Sequence, residues 1–231
     1  MKPICTAVIV AAGKGKRMGT EISKQFLPLC GKEILAHSVE KFEKAEKIRD
    51  IILVTGEDSL QDVQDMTQEY GWEKIRSIVA GGKERQDSVW NGLQEVSADA
   101  EIVLIHDGVR PFVTEDILNL SMETAMEMGG CVAGVPAKDT IKVCNSENIA
   151  VDTPDRSTLW QIQTPQTFRR ELIMKAYEQA KEDGFVGTDD ASLAEYSGYP
   201  VKVIMGSYRN IKITTKEDLL IGEAFLKEER A

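Results

Sequence analysis

Residues 11–29, AAGKGKRMGTEISKQFLPL, concentrate Gly13, Gly15 and Gly19 with Lys14, Lys16, Arg17 and Lys24 directly after an apolar, β-branched run. Glycines that follow a strand let the backbone approach a ligand closely and aim its N–H groups at an anion. Lysine and arginine then add full charges. Against Glu21 alone, the four cations leave the segment net positive by three in a chain whose formal charge is −10. Binding of a phosphate-rich ligand is the chemistry this favours, and a solvated basic turn is the plainer alternative. The P-loop pattern G-x-x-x-x-G-K-[ST] is absent here. The dinucleotide pattern G-x-G-x-x-G also fails, because Met18 takes its last glycine position. Nor does the next strand, IILVTGED, end on an acid placed for a ribose, which disfavours a nicotinamide enzyme.

A second cluster is HDGVRPF at 106–112. If it ends a sheet strand, Asp107 can accept from a ribose or substrate hydroxyl, or hold a water on magnesium. Arg110 can pair with Asp107 or with a phosphate. A local ion pair capping the strand end is the alternative. His37 and His106 are the chain's two histidines, and its cysteines at 5, 30, 131 and 144 have no metal-type spacing, so a zinc site is not expected. The cysteine usage fits reduced thiols in a cytoplasm. An acidic surface, with pI about 4.9, argues against nucleic acid and anionic lipid as partners. No apolar run reaches the 18 or so residues of a membrane span. The short apolar stretch PICTAVIVAAG reads as a buried strand and not as a signal peptide, since its basic cluster follows it.

The elements that must position these residues alternate between short β-branched runs and amphipathic stretches, the pattern of a parallel sheet covered by helices on both faces. Strands are expected at Ile4–Ala11, Asp50–Thr55, Ile75–Ala80, Glu101–His106, Cys131–Pro136 and Val201–Met205. Helices are expected around Ile34–Ala45, Ser59–Tyr70, Glu84–Val96, Glu115–Met128, Arg170–Asp183, Asp189–Ser197 and Lys216–Glu228. One region departs from this rhythm. DTIKVCNSENIAVD at 139–152 reads as a hairpin turning at Asn145–Asn148, projecting with Ile141, Val143 and Ile149 in need of cover. A second subunit would supply that cover, and packing on its own domain is the alternative. An Asp at a helix start, as in TDDASL, reads first as an N-cap, and Trp160 and Phe168 read as core.

VIVAAGKGKRM with KQFLPL resembles the nucleotide-binding signature of sugar-phosphate nucleotidyltransferases. AGGKERQDSV, HDGVRPF, VPAKDTIK, DRSTLWQIQTPQTF, GTDDASLAE and GSYRNIKITTKEDL follow in order. Together they resemble the 2-C-methyl-D-erythritol 4-phosphate cytidylyltransferases of the non-mevalonate isoprenoid pathway, essentially from end to end. The resemblance implies a single α/β nucleotidyltransferase domain over 1–231, Rossmann-like and three-layered. It would have a mostly parallel twisted sheet and a projecting β-hairpin arm at about 138–156.

The resemblance also implies roles. Arg17 and Lys24 would stabilise the transition state, with Arg156 and Lys212 as further catalytic or substrate-positioning cations. Ala11, Ala12, Gly13 and Gly15 would cradle CTP through the main chain, and Gly81, Gly82 and Ser88 would help recognise base and ribose. Asp107, Gly108, Arg110, Thr140 and Thr164 would contact substrate, with Thr140 and Arg156 reaching the methylerythritol phosphate of a partner subunit in a homodimer. Magnesium would ride mainly on the CTP phosphates, with Asp107 reaching it through a water. Lys83 replaces the aspartate or small polar residue common in the family and is given no side-chain role, while Arg85 either steadies its loop or starts a helix from solvent. Val109, where relatives often carry alanine, is shared with ribitol-5-phosphate cytidylyltransferases, which keeps that activity open. LWQIQTPQTF and TDDASLAE favour the methylerythritol enzyme. A nucleotide-binding regulator without activity would not need all four of Arg17, Lys24, Arg156 and Lys212.

Overall fold

The computed structural model describes residues 3–13 and 23–229. In chain order the elements are β1 (Cys5–Ala11), β2 (Pro28–Leu29), β3 (Lys32–Glu33), α1 (Ile34–Lys44), β4 (Ile48–Thr55), α2 (Leu60–Tyr70), β5 (Ile75–Ala80) and α3 (Arg85–Gln94). There follow β6 (Ile102–Asp107), α4 (Glu115–Met128), β7 (Gly130–Pro136), β8 (Val143–Cys144), β9 (Ala150–Asp152) and β10 (Trp160–Arg169). The last elements are α5 (Arg170–Glu182), α6 (Asp190–Tyr196), β11 (Lys202–Met205) and α7 (Lys216–Glu229).

Seven strands form one sheet in the order β11-β7-β10-β6-β1-β4-β5, parallel except for β10, which runs antiparallel to both of its neighbours. Side chains alternate across a strand, so β1 feeds two cores. Ala7 and Ile9 pack with Leu35 and Phe42 of α1 and Val63 of α2 on one face. Val8 packs with Val89 and Leu93 of α3 and Ile173 of α5 on the other. Strands buried on both faces are the reason these segments read as near-continuous apolar runs. α2 ends where Gly71 takes a left-handed φ of 63°.

β10 is not among the expected strands. WQIQTPQTFR is rich in polar residues and carries a proline, which normally demotes a strand to an edge, yet it lies mid-sheet. Its pairing with β7 shifts register between Ile162 and Gln166, so Pro165 sits where no ladder donor is required. Its buried polar side chains find tertiary partners: Gln166 donates to Asp189 Oδ2 and accepts from the Ala191 N–H, and Thr167 donates to Ser121. Phe168 is core, as expected, but Trp160 is 38 % exposed, because it lies at the end of β10 nearest the arm.

The hairpin at 139–152 forms as β8 and β9, a ribbon separate from the main sheet. Asn145 shapes its turn by accepting from the N–H groups of Glu147 and Ile149. Ile141, Val143, Ile149 and Val151 are all exposed on it. NIKITT, which carries Lys212, is an irregular loop despite its alternating apolar residues. That loop is fixed by tertiary hydrogen bonds, namely Gly206 N–H to the Gly134 carbonyl, Ile213 N–H to the Val109 carbonyl, and the Asn210 amide to the Thr164 carbonyl.

Candidate active site

A cavity of about 610 Å³ opens at the carboxyl ends of β1, β5 and β6. Chain connections diverge there, from β1 through α1 to β4 on one side and from β5 through α3 back to β6 on the other, making it the expected crevice of an open α/β sheet. Ala11, Ala12 and Gly13 form one wall, Gly82 to Arg85 with Ser88 another, and Lys24, Asp107 and Lys212 complete it. The two walls meet at Gly81, where a Cβ would lie 2.3 Å from Ala12 Cβ and 2.8 Å from Ser88 Oγ. Only glycine allows that approach. Ser88 accepts from the Gly82 N–H and donates to the Glu84 carbonyl, tying the loop to the first turn of α3.

Asp107 is buried at the floor and faces three cations. Lys212 Nζ lies 2.8 Å from Oδ2, Arg110 Nε 3.4 Å from Oδ2, and Arg85 Nε 3.4 Å from Oδ1. Burial alone would raise its pKa, but Arg85, Lys212 and Arg110 outweigh that and hold the carboxyl well below the usual carboxylate range. Arg85 also makes a two-pronged pair with the fully buried Asp190, at 2.9 and 2.8 Å, and Tyr177 donates to Asp190 at 2.6 Å. Burial would lower Arg85, yet Asp190 and Asp107 raise it above its ordinary value; Arg110, more dominated by burial, is lowered. Three cations against two carboxylates leave a positive floor, and on the walls Lys24 and Lys83 outnumber Glu84. Fixed cations in a partly buried cleft suit a ligand that brings several negative charges.

The cavity thus brings together Ala11, Ala12, Gly13, Lys24, Gly82, Ser88, Asp107 and Lys212 from the expected residues. Gly81, Gly108, Arg110 and Thr164 stand just behind its surface. The Thr164 hydroxyl is committed to the Asp107 N–H and to His106, and Gly108 donates to the Val10 carbonyl. Thr140 and Arg156 do not line it; they belong to the arm, where Arg156 donates to the Lys138 carbonyl. Gly15 and Arg17 lie outside the described residues.

Arg85 is a site residue that sequence reasoning left in the loop or in solvent, because its partners Asp107 and Asp190 are 22 and 105 positions away in the chain. Asp189 is the N-cap of α6, accepting from the Ser192 N–H, while its neighbour Asp190 turns inward. No group of three or more His, Cys, Asp or Glu side chains placed to hold a metal occurs among the described residues. With its oxygens facing Arg85, Arg110 and Lys212, Asp107 does not fit the magnesium-water role considered for it.

The family model for 2-C-methyl-D-erythritol 4-phosphate cytidylyltransferase matches residues 5–228. A protein of that name from Geotalea uraniireducens is 52 % identical over 225 residues, covering 96 % of this chain and 96 % of the relative. One from Alkaliphilus oremlandii is 48 % identical, covering 97 % and 96 %. Among solved structures, 4-diphosphocytidyl-2C-methyl-D-erythritol synthase from Anaerococcus prevotii superposes with a TM-score of 0.87 at 33 % identity, over 98 % of this chain and 97 % of that one. The Thermus thermophilus cytidylyltransferase gives 0.77 at 28 %, over 98 % and 100 %.

Proposed function

The chain belongs to the 2-C-methyl-D-erythritol 4-phosphate cytidylyltransferase family, and from that membership we infer that it transfers CMP from CTP to methylerythritol phosphate, forming 4-diphosphocytidyl-2-C-methyl-D-erythritol and pyrophosphate. Neither ribitol-phosphate transfer nor silent nucleotide binding is favoured by these relatives. The observation in this chain that best supports the reading is the cationic floor, with Lys212, Arg110 and Arg85 gathered on one buried aspartate at the end of β6.

A phosphate oxygen of methylerythritol phosphate attacks the α-phosphorus of CTP; the new P–O bond forms as the bond to the β-phosphate bridging oxygen breaks and pyrophosphate leaves. The nucleophile is already an anion near neutrality, so no general base is needed. The histidines agree with this, since His106 and His37 are buried and hydrogen-bonded to backbone carbonyls. What the chain must supply is fixed positive charge and alignment. In our reading Ala12, Gly13, Gly82 and Ser88 seat the nucleotide, Lys24 and Arg17 bear on the reacting phosphates, and Lys212, steadied by Asp107, meets the acceptor phosphate. A magnesium ion carried on the triphosphate would offset its charge, and among the described residues no cluster of carboxylates is placed to hold it.

A homodimer is the second part of the proposal. Ile141, Val143, Ile149 and Val151 leave the arm with an exposed apolar surface that a second copy would cover, bringing Thr140 and Arg156 to a neighbour's cavity. Incubating the protein with CTP, magnesium and either methylerythritol phosphate or ribitol 5-phosphate, while following pyrophosphate, tests the activity. Release with methylerythritol phosphate is expected. Release with ribitol phosphate alone would overturn the substrate, and release with neither despite CTP binding would favour the regulator.

A further inference from the structure

Behind Asp107 the hydrogen bonds form one directed chain. The Asp107 backbone N–H donates to Thr164 Oγ1 at 3.0 Å, and that oxygen lies 3.0 Å from His106 Nδ1. Across the ring, Nε2 lies 3.1 Å from the Arg110 carbonyl. A carbonyl can only accept, so Nε2 carries the hydrogen. Burial keeps the imidazole neutral, with its pKa pushed down to about 4, so Nδ1 is bare and accepts from the Thr164 hydroxyl.

The surroundings leave the ring little freedom. His106 is fully buried, with the Phe42 ring 4.8 Å away. Asn210 links the same parts, its side-chain amide donating to the Thr164 carbonyl and its main-chain carbonyl accepting from the Arg110 guanidinium. The turn itself closes through the Arg110 N–H on the Asp107 carbonyl. His106 therefore joins the two ends of the Asp107–Arg110 turn to β10.

We propose that His106 is a positioning residue for the transfer reaction: as a neutral, Nε2-protonated imidazole relaying Thr164 to the Arg110 carbonyl, it fixes the Asp107–Arg110 turn and thereby the Lys212 ammonium that Asp107 holds. The proposal rests on the reading that Lys212 meets the acceptor phosphate. His106 itself touches no substrate and moves no proton. Its contribution is to remove alternative orientations of a carboxylate that three cations share.

Three variants separate the bonds: His106→Phe removes both, His106→Asn keeps an acceptor near the Nδ1 position, and His106→Gln keeps a donor directed at the Arg110 carbonyl. The expected result for His106→Phe is a rise of about tenfold in KM for methylerythritol phosphate with a fall in kcat, while KM for CTP moves by less than about twofold. Asn and Gln should each recover part of the loss. A merely structural role would reduce the folded fraction and leave both KM values alone, and that outcome overturns the proposal. Lys212→Ala, run alongside, should raise the same KM; if it does not, the reading of Lys212 fails independently of the relay. Should no His106 variant fold, the nitrogen-15 spectrum of the wild-type ring at neutral pH decides. A protonated Nε2 with bare Nδ1 supports the relay, and a protonated Nδ1 overturns it.

Discussion

Replacing Asp190 by asparagine isolates the charge that anchors the cavity floor from below. Asp190 is wholly buried at the first residue of α6, with Arg85 at 2.9 and 2.8 Å and the Tyr177 hydroxyl at 2.6 Å. The amide would keep the volume while removing the charge, leaving the 3.4 Å contact to Asp107 as the remaining ion pair of Arg85 among the described residues. Breaking a buried pair by removing one partner costs about 3–5 kcal/mol, because the other charge stays desolvated and unmatched. Arg85 retains 31 % side-chain exposure, so water relieves part of that penalty, and about 3 kcal/mol is the expected loss. For a chain of this length each kcal/mol lowers Tm by about 2–4 °C, giving a fall of about 6–12 °C. Calorimetry and urea titration of Asp190→Asn measure it. The double variant Arg85→Met with Asp190→Leu should regain much of the stability, since a buried pair replaced by apolar groups of similar size is often nearly neutral. A melting point for Asp190→Asn within about 2 °C of wild type would refute the claim that this pair anchors the floor.

Four further outcomes bear on the proposed function. Lys24→Ala or Arg17→Ala should slow turnover by about two orders of magnitude or more, the scale of losing a fixed electrostatic donor, as read by pyrophosphate release. Gly81→Ala should raise KM for CTP, because the added Cβ would push Ala12 and Ser88 apart at the meeting of the two cavity walls; an unchanged KM would show that those walls yield freely. Asp107 has a folded pKa lowered below its unfolded value of about 3.9, so its stabilising contribution is complete above that value and is lost as pH falls below it. The Tm of wild type should therefore drop more steeply on acidification below about pH 4 than that of Asp107→Asn. Mixing inactive Arg156→Ala and Lys24→Ala proteins should restore some activity, since one kind of shared site would then carry neither lesion; no recovery would argue that each site is built within one chain.

Several elements were legible because local chemistry and burial point the same way. β1, β4, β5, β6 and β7 are β-branched runs of the kind that a two-sided parallel sheet rewards, and the stripe of Val89 and Leu93 on α3 repeats at the helical interval. Asp189 as an N-cap and Asn145 as a turn former depend on neighbours within a few residues, so their roles could be read in place. β10 escaped because its interior polar residues, Gln163, Thr164, Gln166 and Thr167, are satisfied by residues remote in sequence, which no periodicity registers.

The same distinction divides the site. Sequence alone determined the alternating sheet-and-helix plan, the basic glycine loop and the motif series, because these reside in short stretches of chain. Tertiary structure alone decided that Arg85 joins Asp107 to Asp190, that Lys212 reaches the site from an irregular loop and that His106 stands behind the floor. Each of those facts depends on burial and on partners drawn together only when β6, β10 and the ends of α3 and α6 converge. A charge or a hydroxyl acquires its role from the low-dielectric surroundings and fixed partners that folding supplies.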